Sequence, residues 1–141
     1  MLSMKAKYAL RALIVMAQSD SKLLQTRAIA EAADVPFKFL ETILQDLKHN
    51  GIVASKRGIF GGYSLARLPA DISVGTVIRV LDGPLAPIRC ASVSAYQRCD
   101  DCVSESACAI RKTMIDVRNA IAGVLDTTSL ETMVKRGSSA I

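Results

Sequence analysis

No apolar run in this chain approaches the length of a membrane span. Its opening Met1-Leu2-Ser3-Met4-Lys5-Ala6-Lys7-Tyr8 lacks the apolar core and small-residue cleavage site of a signal peptide. A cytoplasmic protein without a membrane partner is expected. Histidine occurs once, at His49, expected as a surface residue at the end of a helix. No acid is paired with a base, and no nucleophile stands beside one, so an enzyme is not expected. Internal repeats and low-complexity segments are also missing. Cysteine is absent except between Cys90 and Cys108, where all four occur. In a cytosolic chain, cysteines clustered in this way are more often metal-binding or redox-active than structural disulfides.

What remains is a chain of 141 residues, 50% apolar, enough for one compact domain plus an appendage. Its net charge of +5 is unevenly placed. Residues 1–72 carry ten Lys/Arg against six Asp/Glu, a balance of +4, while residues 73–141 carry eight against seven. A basic N-terminal half suits a polyanion, and an ordinary solvated surface is the plainer alternative.

Ser3 is positioned to cap a first helix, with Ala6, Leu10, Leu13 and Ala17 along one face, and Asp20-Ser21-Lys22 breaks it. Thr26 is expected to cap a second helix through Ala33, with Ile29, Ala30 and Ala33 inward. A tight turn at Asp34-Val35 leads to Pro36, where a third helix begins and runs to Asn50-Gly51. Phe37, Leu40, Leu44 and Leu47 form its expected buried stripe; Lys38, Glu41, Thr42, Gln45 and Lys48 fall opposite. Short helix, turn and longer helix with a polar outer face make a helix-turn-helix pattern.

Ile52–Arg57 then reads as a strand, Gly58–Gly62 as a turn and Tyr63–Ala66 as a return strand. A hairpin directly after the third helix is a wing, with Lys56 and Arg57 at its edge to meet phosphates or a minor groove. Pro69-Ala70-Asp71 closes this unit. Ser73 caps a further helix with Val74, Val77, Ile78 and Leu81 inward, stopped by Asp82-Gly83-Pro84. After the cysteine loop, a long helix from about Ala107 to Leu125 repeats Ile110, Met114, Val117, Ile121 and Val124 at heptad spacing. So regular a seam outside the core suits pairing with a second subunit, and packing on the chain's own domain is the alternative. Thr128-Ser129-Leu130-Glu131 reads as a capping box for a last short helix, and Gly137–Ala140 is expected to fray.

The expected fold is mostly α with a small β-hairpin wing. Residues 1–72 form a winged helix-turn-helix DNA-binding domain, 73–106 a linking helix and cysteine-rich sensor loop, and 107–141 a dimerisation helix and C-terminal short helix.

Lys5–Leu13, Phe39-Leu40-Glu41, the wing Arg57-Gly58-Ile59-Phe60-Gly61-Gly62-Tyr63 and Val77–Pro84, with the cysteine loop, resemble the Rrf family of winged-helix transcriptional regulators, with its IscR, NsrR, RirA and CymR types. The likeness runs from about Leu2 to Val134. It implies a homodimeric bacterial regulator on a palindromic element of double-stranded DNA, repressor or activator. In the family the third helix enters the major groove and the wing arginine the minor groove. Carried over, that nominates Lys38, Phe39, Glu41 and Thr42 on the helix, and Arg57 with the Gly61-Gly62 turn on the wing. Lys38 suits a phosphate or guanine and Thr42 a base edge; Glu41 only accepts, which favours cytosine. Phe39 suits the core equally well.

Cluster-binding members use three loop cysteines with the last two separated by five residues, a spacing Cys102 and Cys108 share, with Cys90 as the first. The family's fourth ligand, a histidine three residues past the last cysteine or a carboxylate of the first helix, is replaced here by Arg111 and by Lys7 and Tyr8. The chain has Cys99 instead. Cys90, Cys99, Cys102 and Cys108 suit a 4Fe-4S iron–sulfur cluster, or three of them leave one iron open to a small molecule. A single zinc on four thiolates is the alternative, as is a reversible disulfide joining Cys99 or Cys102 to Cys90 or Cys108. Arg89 and Arg98 are expected beside the ligands, lowering thiolate pKa values. A cluster-free regulator of the CymR type, controlled by a partner protein, is the competing function. Iron, redox state and nitric oxide are the candidate signals.

Overall fold

The structure, a computed structural model, describes residues 2–137. Of the tail expected to fray, Gly137 ends the last helix and residues 138–140 lie outside the described residues.

Helix α1 (Met4–Gln18) starts where Ser3 Oγ accepts the Ala6 N–H at 3.0 Å. Ser3 is held in turn by Asp82, whose carboxylate accepts both the Ser3 N–H and its hydroxyl. The single stripe expected for α1 is too narrow. Ala6, Ala9, Ala12 and Leu13 are fully enclosed, and Leu10, Ile14 and Met16 are buried as well, whereas Ala17 is only half-buried. The cause is position: α1 is the central post, contacted by helices on several sides, and its alanines let them come close.

Helix α2 (Thr26–Ala33) buries Ile29, Ala30 and Ala33 as expected, but Thr26 is its first helical residue and Gln25 occupies the cap without a side-chain bond. Asp34 turns the chain with φ 53°, and Pro36 sits at the head of α3 (Phe37–His49). The buried stripe of α3 is Leu40, Ile43, Leu44 and Leu47. Phe37 does not belong to it. At the first turn its ring lies outside the core, covered by the Arg27 guanidinium 4.9 Å from its centroid.

Strands β1 (Val53–Lys56) and β2 (Gly62–Leu65) pair antiparallel from Val53↔Leu65 to Lys56↔Gly62. Leu24 extends the wing root on the far side of β2, exchanging hydrogen bonds of 2.9 and 2.8 Å with Tyr63.

A 3-10 turn at Pro69–Asp71 leads to α4 (Val74–Asp82), capped by Ser73 through the Thr76 N–H. Val74, Val77 and Ile78 enter the core, and Leu81 lies half-buried at its edge. Cys90 sits in a second 3-10 turn, Arg89–Ala91, before the loop reaches α5 (Ala109–Leu125). The last helix, α6 (Leu130–Arg136), is capped by Ser129, not Thr128, whose hydroxyl donates to Val124 O at 2.7 Å. Short backbone bonds, Val74 N–H to Thr128 O and Leu130 N–H to Ile72 O, return α6 to the winged core, where Leu130 is buried among α1 and its neighbours. Helix α5 alone stands outside, with no buried residue.

Candidate functional site

Two regions carry chemistry, and the fold separates them. On α3, Lys38, Phe39, Glu41 and Thr42 are all exposed on the face opposite Leu40, Ile43, Leu44 and Leu47. The buried stripe anchors the helix, and the 3.6-residue period turns the polar set outward. Phe39 is not core: it is 51% exposed and meets Tyr8 edge-on, with centroids 5.8 Å apart. His49 is exposed at the end of the helix.

Lys56 and Arg57 are exposed where β1 enters the turn. The glycines behind them have a steric role. A Cβ on Gly61 would lie 2.1 Å from Lys56 O, and one on Gly62 would lie 2.4 Å from Leu24 O. The wing is folded back on its own backbone at one glycine and pressed against the Leu24 backbone at the other.

The second region is the cysteine loop. Cys90, Cys99, Cys102 and Cys108 together line one cleft of about 500 Å³, closed by Ile88, Ile110 and Arg111. Cys90 is buried and the other three are half-buried. The Cys99 thiol donates toward Cys90 Sγ at 3.9 Å. That hydrogen bond, with loss of solvent and the neighbouring Cys90 charge, pushes the Cys99 thiol up from its ordinary pKa.

Cys108 has a different task. It is the N-cap of α5, its Sγ accepting the Arg111 N–H at 3.4 Å. A sulfur that carries negative charge is favoured at that end of a helix. The loop leading to it is gathered by Glu105, which accepts from Tyr96 Oη and pairs with Arg111 at 3.6 Å and Arg98 at 3.9 Å. That hydrogen bond, followed by loss of solvent and the Glu105 charge, holds the Tyr96 hydroxyl above its usual pKa.

Neither of the cations expected beside the thiols lines the cleft. Arg89 spends its guanidinium on Gln97 Oε1 at 2.5 Å, and Arg98 turns to Glu105 and Cys102 O. Arg111 is the cation that lines the cleft, and its Nε donates to Cys90 O at 3.0 Å. Two helix turns later, Arg118 Nη1 reaches Ala91 O at 2.5 Å. Two arginines of α5 therefore grip the main chain around Cys90. Their i, i+7 spacing along α5 is visible in the sequence, but their acceptors are backbone carbonyls that no side-chain pattern announces.

Among the described residues, no three Cys, His, Asp or Glu side chains stand close enough to grip a single metal ion. The four sulfurs instead surround a cleft. A set of four thiolates around one cleft is a donor chemistry that fits an iron–sulfur cluster and a single tetrahedral ion alike.

A family model described as Rrf2, an iron-dependent transcriptional regulator, matches residues 2–136. An rrf2-like protein of Rhodobacter capsulatus, named as an HTH-type transcriptional regulator, is 44% identical over 144 residues, covering 99% of this chain and 96% of that protein. The solved structure of CymR, the global cysteine regulator of B. subtilis, superimposes with a TM-score of 0.78 at 29% identity, over 98% of both chains. IscR of T. potens superimposes with a TM-score of 0.74 at 31% identity, over 98% of this chain and 88% of that one. No described helix is long and apolar enough to cross a membrane. With a helix-turn-helix, a wing and a matching model over nearly its whole length, the chain belongs to the Rrf2 family of DNA-binding bacterial transcriptional regulators and is not an enzyme.

Proposed function

We propose that this regulator acts as a homodimer on a palindromic promoter element and that its cysteine cleft holds an iron–sulfur cluster of the 4Fe-4S type. The observation that carries the cluster is the convergence of all four cysteines on one cleft with Arg111 in its wall. The CymR and IscR structures fit the chain almost equally well, so the fold alone does not separate the sensing types. The cysteines favour the cluster.

Cys90, Cys102 and Cys108 are the thiolates that the family resemblance nominates, and Cys99 is the fourth. When bound, such a cluster supplies a reversible change of charge and oxidation state in response to iron, oxidants or nitric oxide. The chain's own part is mechanical. Cys108 ends the loop and begins α5, so any change in what its sulfur holds alters the first turn of that helix. The homodimer is supported by α5 itself. Along its seam Ile110 is 64%, Val117 38% and Val124 61% exposed, with Met114 and Ile121 half-buried between them, an apolar stripe that the described residues cover only in part. A shift of paired α5 helices would change the distance between the two α3 helices. On the reading face, Lys38, Phe39, Glu41 and Thr42 are assigned to the major groove, and Arg57, carried by the Gly61-Gly62 turn, to the minor groove.

Anaerobic purification followed by an absorbance spectrum and iron, sulfide and zinc analysis tests the cluster. A brown protein with iron and sulfide in equal amounts is expected; a colourless one with one zinc per chain sinks it. Replacing Cys99 by Ser separates four-thiolate ligation, which loses the cluster, from three-thiolate ligation with an open iron, which keeps it.

A second reading is favoured by one distance. Cys90 and Cys99 sulfurs lie 3.9 Å apart, within a small side-chain movement of a disulfide. In a protein without the cluster, this pair is the one that would oxidise. Mass mapping after treatment with a small-molecule disulfide should recover Cys90 joined to Cys99.

A further inference from the structure

The wing ends in two bare hydrophobic side chains. Ile59 is 85% and Phe60 87% exposed. Unlike the seam of α5, they lie at a hairpin tip too small for a protein–protein interface. The tip is also braced. Gly61 N–H donates to Gly58 O at 3.0 Å, Gly61 has no room for a Cβ, and Gln25 Nε2 donates to Ile59 O at 3.3 Å from the head of α2. Two large apolar groups are therefore held out from the protein on a support tied to the helix-turn-helix.

Their neighbours indicate what they meet. Lys56 and Arg57, both exposed, immediately precede them in the chain. An apolar tip behind cationic residues complements a polyanion with an apolar interior, which is how stacked bases lie beneath their phosphates.

We propose that Ile59 and Phe60 enter the minor groove beside Arg57 and wedge between adjacent base pairs, kinking the DNA at a flexible pyrimidine–purine step. This rests on the DNA-reading assignment above. The free energy gained by burying two large side chains is of the same order as unstacking one step, so an easily opened step is preferred over a stiff one. The wedge thereby contributes specificity through the deformability of the site, without a hydrogen bond to any base.

The test uses the full-length protein and duplexes recovered by its binding to a random-sequence pool. Each duplex carries dyes at its ends to report bending and 2-aminopurine at the pyrimidine–purine step beneath the wing. Wild-type protein should bring the ends together, by a kink in the range of about 20–90°, and raise 2-aminopurine fluorescence. The Ile59→Ser/Phe60→Ser double variant, altered only at exposed positions and checked by its melting temperature, should bind about tenfold more weakly and leave the duplex straight. Arg57→Ala should lose affinity yet keep the fluorescence rise at saturation. A straight, silent duplex under wild-type protein, or equal bending by the double variant, overturns the wedge while leaving DNA reading intact. Failure to recover any duplex overturns both.

Discussion

The carboxylate of Asp126 and the guanidinium of Arg79 form a two-pronged ion pair, Nη1–Oδ1 2.6 Å and Nη2–Oδ2 2.9 Å, that fastens the end of α5 to the last turn of α4. It is the rivet between the outlying helix and the winged core. Each partner favours the charged form of the other, so Asp126 is held below and Arg79 above its ordinary pKa.

Removing the rivet should loosen α5 at modest cost. Both side chains are more than a third exposed, which limits the pair to about 0.5–1 kcal/mol despite its bidentate geometry. Asp126 has a depressed pKa when folded, so this stabilisation is present above the unfolded value and is lost as pH falls through the folded one. Melting temperatures of wild type and Arg79→Ala should differ at neutral pH and converge well below about pH 4. A difference that persists in acid would contradict the assignment.

Gly75 is small because of that pair. A Cβ there would lie 2.0 Å from Asp126 Oδ1. Gly75→Ala should destabilise the wild type by displacing the carboxylate. In an Asp126→Ala background it should instead be neutral or stabilise by up to about 1 kcal/mol, since alanine is the better helix former. A double-mutant cycle measured by urea unfolding reads the reversal of sign.

The wing glycines differ in what they tolerate. Gly61→Ala meets the Lys56 carbonyl and should cost about 1–3 kcal/mol, with loss of DNA affinity as the tip is displaced. Gly58, with nothing within 4 Å of its missing Cβ, carries only the strain of φ 109°. Gly58→Ala should therefore cost less than Gly61→Ala in the same thermal melt.

Cys108 has two roles that substitution separates. Serine keeps an N-cap acceptor and alanine does not, so Cys108→Ser should be more stable than Cys108→Ala by about 1 kcal/mol in cluster-free protein. Both should fail to assemble the iron chromophore. Equal stability of the two would remove the capping role.

On the reading face, Arg57→Ala should weaken binding by about 1–3 kcal/mol, and Lys38→Ala should reduce the slope of log affinity against log salt by about 1 if it meets a phosphate. Titration of the recovered duplex at several salt concentrations measures both.

The helix-turn-helix and wing were legible because each is announced locally. Ser3 and Ser73 cap where they were expected to, Asp34 and Pro36 make the turn, and glycines bound the hairpin. Misplacements came where a neighbour distant in sequence decides. Phe37 has the right spacing for the core stripe, but α3 begins too far out for its first residue to reach the interior. Thr128 lost the cap to Ser129 because its hydroxyl is taken by the end of α5. The cysteine region was legible as a set of candidate ligands but not as an arrangement, since Glu105 and Arg111 shape the loop through contacts with Tyr96 and the Cys90 carbonyl.

The sequence by itself determined the elements, the outer face of α3, the exposed cations of the wing and the candidacy of all four cysteines. These depend on periodicity, capping and residue chemistry, which act over a few neighbours. Only the tertiary structure decided that α6 returns to the core while α5 stays outside, that Gly75 and Gly61 are required to be small, and that Arg111 rather than Arg89 or Arg98 faces the cysteines. Those outcomes depend on close packing and on backbone acceptors brought together from opposite ends of the chain.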